Sequence, residues 1–152
     1  MSERKQIANE ILLEEACAML ASGKKVKLRA KGCSMLPFIH GGEDKLIIAP
    51  CGRLRQGDIV LARVRADEYV IHRIVKLDRE YVTLAGDANL FKREVCLRRD
   101  VCGIVETIVR DSNELSATSL RSRMLARAWH MLLPLRRMLL KFKKHHNKYE
   151  KD

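Results

Sequence analysis

The segment Lys31-Gly32-Cys33-Ser34-Met35-Leu36-Pro37-Phe38 follows a run, from Lys25 to Ala30, in which charged and apolar residues alternate. Such alternation predicts a β-strand with one buried face. Gly32 lets the backbone turn sharply, and Pro37 stops a regular helix or central strand from continuing. We therefore expect Ser34 on a stiff, bent segment that could present a reactive hydroxyl, with an ordinary loop serine as the alternative.

Outward from this segment, the sequence predicts one helix and a series of short strands. Apolar residues at helical spacing between Ile7 and Leu20, with Gly23 as a stop, predict an amphipathic helix over about residues 4–22. Turn signals such as Gly41-Gly42 separate the strands. The predicted strands cover residues 26–30, 46–49, 59–64, 69–75, 81–85 and 101–109. Many short strands at this spacing favour a mainly β (α+β) fold, a coiled antiparallel domain similar to a barrel.

The last part of the chain is first polar and then strongly basic. Residues 111–119 predict a linker or the entry to a helix. Apolar residues from Leu120 to Phe142 then form a stripe at helical spacing, which Pro134 should kink or split. From Ser119 on, ten lysines and arginines stand against two acidic residues, a net charge of +8 out of the total of +11. We thus predict an N-terminal helix (1–23), a β-domain (24–110) and a linker with a basic amphipathic helix (111–152).

Composition and cysteines narrow the class of protein. A chain of 152 residues, 47% apolar and 32% charged, fits one globular domain with appendages. We see no signal peptide or membrane span, because acidic residues interrupt the N-terminal apolar run, and we expect a cytoplasmic protein that is at most peripheral on the membrane. The five cysteines have no metal-ligand spacing, so we expect reduced thiols that pack as small apolar residues, Cys33 included. We expect no metal and no cofactor.

Four short motifs follow one another along the predicted β-domain. They are Gly32-x-Ser34-Met35-x-Pro37, Gly57-Asp58-Ile59-Val60, Ile71-His72-Arg73-Ile74-Val75 and Gly86-Asp87-Ala88. In this order and spacing the set resembles the S24/S26 serine peptidase superfamily, which contains the signal peptidases and the self-cleaving repressors. His72 makes the chain similar to the archaeal and endoplasmic-reticulum signal peptidases, because the bacterial ones carry lysine in this segment. The resemblance implies a coiled, mostly β fold.

The resemblance also implies that Ser34 is a nucleophile and His72 its general base. A serine hydroxyl is a poor nucleophile at neutral pH and needs a neighbouring base to take its proton. A histidine can do this and then return the proton to the leaving amine. The alternative is that His72 is only a half-buried strand histidine.

A carboxylate that fixes the imidazole tautomer would complete the site. Asp87 is the natural candidate, because it lies in the Gly86-Asp87-Ala88 motif. The related peptidases usually have asparagine where this chain has Ala88, followed by a further aspartate. Glu94 and Asp100 therefore stay open as alternatives, whereas Asp58 is expected to cap a turn.

Three kinds of function fit these observations. The first is a serine endopeptidase that cleaves a peptide or protein precursor, bound as an added strand, with small residues before the cleaved bond as the resemblance implies. The second is a catalytically weak or inactive binding module. Its basic helix, with Trp129, would then lie on an anionic membrane surface or pack on protein, and nucleic acid is disfavoured because aromatic residues are few. The third is a self-cleaving regulator. The resemblance implies that such a protein cuts an Ala-Gly or Cys-Gly bond located before its nucleophile. This function is disfavoured because Cys51-Gly52 and Ala85-Gly86 follow Ser34.

Overall fold

The computed structural model describes the backbone of residues 2–132 and 135, and the side chains from Ile11 onward. Along the described part of the chain, one helix precedes eight strands and a second helix follows them. The helices are α1 (Ser2–Ala21) and α2 (Leu120–Met131). The strands are β1 (Val26–Arg29), β2 (Lys45–Pro50), β3 (Ile59–Arg65), β4 (Glu68–Leu77), β5 (Tyr81–Ala85), β6 (Glu94–Leu97), β7 (Val101–Arg110) and β8 (Asn113–Ser116). A 3₁₀ turn, Arg98–Asp100, joins β6 to β7.

All described strands pair antiparallel in one sheet of order β1-β2-β7-β3-β4-β5-β6, with β8 added beside β7. The sheet coils so that its buried side chains form two apolar clusters. One cluster lies under α1 and includes Leu28, Leu46 and Val105. The other lies between β3, β5 and β6 and includes Val60 and Leu84. The predicted class, a mainly β domain with an N-terminal and a C-terminal helix, is confirmed.

Helix α1 forms where the sequence predicts it, but among its described side chains only part of the predicted apolar stripe is buried. Ala16 and Leu20 are buried against the sheet, with Leu13 beside them. By contrast, the side chains of Ile11 and Met19, predicted in the same apolar stripe, are exposed. The helix therefore contacts the β-domain along a narrow line of residues.

Two strands lie where the sequence predicts none. Residues 113–116 form β8 instead of a linker, because the chain reverses through Asp111 and Ser112, both at positive φ. Such a two-residue turn most often has the sequence Asn-Gly or Asp-Gly, so Asp-Ser gave no strong hairpin signal. The other unpredicted strand, β6, has only four residues and is surrounded by basic residues.

The expectation of reduced, packed cysteines is wrong for four of the five. Cys17 in α1 and Cys102 in β7 form a disulfide, with their Cα atoms 5.2 Å apart. This bond joins the N-terminal helix to a central strand, across 85 residues of sequence. Cys33 and Cys51 are exposed, and only Cys96 is a buried free thiol. Burial raises the pKa of Cys96 to about 11, so its thiol stays protonated at neutral pH.

Helix α2 packs on the β-domain through one face. Ser119 caps its N-terminus by accepting a hydrogen bond from the Ser122 N–H at 3.1 Å. The Trp129 indole N–H donates to the Asp87 carbonyl at 2.8 Å, and its ring meets Phe38 edge to face. Trp129, for which a lipid surface and packing on protein were both left open, therefore contacts the β-domain. The predicted break at Pro134 lies outside the described residues.

Candidate active site

The segment that carries Ser34 is held at both ends by backbone and side-chain contacts. The Ala30 N–H donates to the Asp44 carbonyl at 2.8 Å, and the Gly42 N–H to the Ala30 carbonyl at 2.9 Å, so residues 31–42 form a closed loop. The Arg110 guanidinium of β7 donates two hydrogen bonds of 2.7 Å to the buried Asp44 carboxylate. Burial alone would raise the pKa of Asp44, but the hydrogen bonds from Arg110 and the His40 N–H lower it. The loop is thereby tied to the sheet.

Ser34 and His72 meet inside this frame. The Ser34 hydroxyl oxygen lies 3.1 Å from His72 Nε2. On the other side of the ring, His72 Nδ1 lies 3.0 Å from a carboxylate oxygen of Glu94. His72 and Glu94 are both buried, and Ser34 is partly exposed. A serine, a histidine and a carboxylate thus stand in line, with the serine facing the solvent.

The sheet brings these three groups together from distant parts of the chain. His72 lies in β4, one residue before the point at which β4 begins to pair with β5 at Arg73 and Ala85. Leu84 of β5 pairs in turn with Glu94 of β6. Along β6, Glu94 and Cys96 face the interior and Val95 faces outward. Glu94 therefore points inward and reaches the ring of His72 beyond the end of β5.

Asp87, predicted to orient His72, lies elsewhere. Its fully buried carboxylate accepts two hydrogen bonds from Arg73, at 2.8 and 2.7 Å, and lies 3.0 Å from His130 Nε2. Burial would raise the pKa of Asp87, but these hydrogen bonds from His130 and Arg73 lower it, so the carboxylate is ionised. The hydrogen bond to His72 Nδ1 is made by Glu94, one of the two alternatives left open.

The Gly86-Asp87-Ala88 turn nevertheless touches the active segment through its backbone. The Ala88 N–H donates to the Ser34 carbonyl oxygen at 2.8 Å. A Cβ at Gly86 would lie 2.6 Å from that same oxygen, so only glycine allows this approach. Because Arg73 also donates to the Gly57 carbonyl and lies under the Phe38 ring, it connects this turn to the Ser34 loop and to β3. The turn positions Ser34 and does not contact His72 through Asp87.

Two other acidic residues considered in the sequence, Asp58 and Asp100, have structural partners. Asp100 pairs with Arg63 at 3.0 Å. Asp58 accepts a hydrogen bond from the Arg55 N–H at 2.8 Å, which is the turn cap expected of it, and it forms an ion pair with Arg123 of α2 at 2.7 Å. Within the part of the chain that the structure describes, no histidines, cysteines, aspartates or glutamates form a group of three or more that could hold a metal ion.

An apolar cavity of about 260 Å³ adjoins the Ser34–His72 pair. Its walls come from α1, from the loop after β1 and from the first half of β4, represented by Leu13, Ala30 and Ile71. Two strands beside the cavity, β1 and β4, have a backbone edge that pairs with no other described strand. β1 is at the edge of the sheet, and the part of β4 before Arg73 pairs only with β3. An extended peptide could therefore hydrogen-bond to either strand and place one apolar side chain in the cavity.

Comparison with protein-family models gives a match with the family described as Peptidase S24-like, over residues 3–109. Comparison with curated proteins gives no match. The matched range contains α1, the Ser34 loop, His72 and Glu94, and it ends before α2. No helix in residues 2–132 is long and apolar enough to cross a membrane.

Proposed function

Because the chain belongs to the Peptidase S24-like family, we propose that it is a serine endopeptidase that cleaves a peptide or protein precursor. The observation that carries the proposal is the line of hydrogen-bonding groups from Ser34 through His72 to Glu94, which has the order required for an activated serine. The pair opens on an apolar cavity flanked by two unused strand edges, which is where a peptide would be bound.

In the proposed mechanism Ser34 is the nucleophile, His72 is the general base and acid, and Glu94 orients His72. Glu94 accepts a hydrogen bond from His72 Nδ1–H, which fixes the tautomer in which Nε2 carries a lone pair toward Ser34. As the Ser34 oxygen bonds to the substrate carbonyl carbon, its proton passes to Nε2. The imidazolium then gives this proton to the leaving amine as the C–N bond breaks. Water, deprotonated by the same ring, hydrolyses the acyl-enzyme and restores the Ser34 hydroxyl.

Two features of the Ser34 loop suit the charged intermediate of this reaction. We assign the backbone N–H of Ser34, with a neighbour near Gly32, to the oxygen that becomes negative. The Ser34 carbonyl is held by the Ala88 N–H, so the orientation of the adjoining peptide units is fixed before substrate binds. A donor that is already oriented stabilises the intermediate without reorganisation at the moment of reaction.

Peptide-library cleavage tests the activity directly. The full chain and its Ser34→Ala variant are incubated with a peptide library, and new termini are identified by mass spectrometry. We expect cuts that only the parent protein makes, after small or aliphatic residues that the 260 Å³ cavity accepts. The same cuts in both samples would come from a contaminating protease and would count against the proposal.

A methyl group at Gly86 should impair catalysis without unfolding the protein. In Gly86→Ala the new Cβ would meet the Ser34 carbonyl at 2.6 Å and push the nucleophile away from His72. We expect kcat/KM to fall by about 10²-fold, the cost typical of a misplacement of about 1 Å. The control is Gly52→Ala, where a Cβ meets nothing within 4 Å. Equal activity of the two variants would remove the Gly86 turn from the positioning of Ser34.

The second candidate function, a peptidase-like binding module, is favoured by the solvent-exposed apolar side chains of α2. Leu120, Met124 and Met131 are 75%, 70% and 79% exposed, on a helix that also carries Arg121 and Arg127. Such a face suits an anionic membrane surface. We therefore keep peripheral membrane attachment as a proposal for either function, and the cytoplasmic location stays a prediction from the sequence.

A further inference from the structure

A second cavity, of about 510 Å³, lies between α2 and the β-domain, away from Ser34 and His72. Five arginines line it, together with His130, and none of the acidic residues that the structure describes does. The arginines come from four separate parts of the fold. These are the turn before β3 (Arg55), β4 (Arg73), the loop before β6 (Arg93) and α2 (Arg123, Arg127). A concave site with this lining has a strongly positive potential.

Two of the five arginines are already neutralised by buried carboxylates behind the cavity wall. Arg73 pairs with Asp87 and Arg123 with Asp58, each at 2.7 Å. The Arg73–Asp87 pair lies within the β-domain, and the Arg123–Asp58 pair joins α2 to it. The other three guanidinium groups are different.

Arg55, Arg93 and Arg127 form no ion pair with any carboxylate in residues 11–132. Arg93 donates only to backbone carbonyls, among them that of Lys92 at 3.0 Å. All three side chains are exposed, so they can turn toward a bound anion without first breaking a salt bridge. The cavity thus has three positive charges for which the described protein supplies no counter-charge.

We propose that this cavity binds a phosphate group, presented either by an anionic phospholipid headgroup or as free phosphate. Guanidinium groups give phosphate oxygens paired, charge-assisted hydrogen bonds, and three of them around one cavity match a group with several acceptor oxygens. The cavity is also lined by Leu120 and Met124, both largely exposed. A headgroup on the arginines would place its acyl chains along these two side chains. The site does not depend on the peptidase activity.

Two charge-matched double variants test the site. Arg55→Gln/Arg127→Gln removes two lining arginines, and Arg53→Gln/Arg121→Gln removes two exposed arginines nearby that do not line the cavity. Both variants lose the same net charge, so general attraction to an anion falls equally in the two. Because none of the four arginines forms an ion pair within the described residues, we expect both variants to fold, which circular dichroism will check.

The probes are inorganic phosphate, phosphatidylcholine vesicles and vesicles of phosphatidylcholine with phosphatidylglycerol. Phosphate binding is followed by the fluorescence of Trp129, the single tryptophan, which lies on α2. Vesicle binding is followed by sedimentation. For the cavity variant we expect at least about tenfold weaker binding than for the parent protein, because it loses charge-assisted hydrogen bonds from two guanidinium groups. For the matched variant we expect less than about a twofold change.

The outcomes separate the two sources of phosphate. Loss of binding to anionic vesicles that is confined to the cavity variant, together with displacement of the parent protein from these vesicles by inorganic phosphate, assigns a lipid headgroup. Loss confined to the cavity variant with inorganic phosphate alone assigns free phosphate. Equal weakening in both double variants, or no binding of either probe by the full chain, overturns the proposal.

Discussion

Ser34→Ala and His72→Ala are each expected to lower the rate of peptide cleavage by at least about 10³-fold, and the double variant by little more. The reason is that the Ser34 oxygen and His72 Nε2, 3.1 Å apart, act as one device: the oxygen becomes a nucleophile only as the ring takes its proton. Removing either partner removes nearly the whole effect. The measurement is kcat/KM on a peptide identified in the library experiment.

The control for this prediction is a serine that has no part in the site. Ser116 of β8 is exposed, so Ser116→Ala should leave the activity unchanged. If His72→Ala kept near-parental activity while Ser34→Ala lost it, another group would be the base. If both single variants kept it, the proposed peptidase function of this site would fail.

The sequence predicted the fold from residues whose effect on structure is local. Alternation in β1 and long apolar runs in β3 and β7 give strands whatever their neighbours, and the structure has strands at all six predicted places. The four motifs predicted the superfamily, and the match over residues 3–109 confirms it. β6 and β8 went unpredicted because four residues beside charged neighbours carry little periodicity, and pairing with the sheet decides their conformation.

The candidate site was predicted where a motif carries the residue, and it was left open between alternatives where only the fold brings the residue in. Ser34 and His72 lie in motifs and meet in the structure. Glu94 lies in no motif and reaches His72 only because β6 pairs with β5 at Leu84. A sequence signal existed in the alternation of Glu94-Val95-Cys96, which puts a carboxylate and a buried cysteine on the same side of a strand. Asp87 was predicted to orient His72 because a glycine-aspartate turn suits a catalytic and a structural carboxylate equally, and the structure places its carboxylate against Arg73 and His130.

Glu94→Gln should lower the activity with little effect on stability, whereas Asp87→Asn should mainly lower the stability. The two variants therefore separate a catalytic carboxylate from a structural one. Glutamine has the size of glutamate, but its amide can donate to His72 Nδ1 and so favour the tautomer that cannot accept the Ser34 proton. We therefore expect Glu94→Gln to lose about 10²–10⁴-fold in activity with nearly parental stability. Its loss of the ion pair with Lys92, whose side chain is exposed, should cost at most about 1 kcal/mol.

Asp87→Asn instead leaves the buried guanidinium of Arg73 without its counter-charge. We expect its free energy of unfolding to fall by on the order of 3–5 kcal/mol, measured by urea denaturation. Because the pKa of Asp87 is lowered in the folded protein, its stabilisation is complete above the ordinary aspartate pKa and is lost as the pH falls through the lower folded value. The stability difference between parent and variant should therefore shrink in acid. At a temperature where both variants are folded, Asp87→Asn should keep more activity than Glu94→Gln. The reverse order would return Asp87 to the catalytic site and leave Glu94 a structural role.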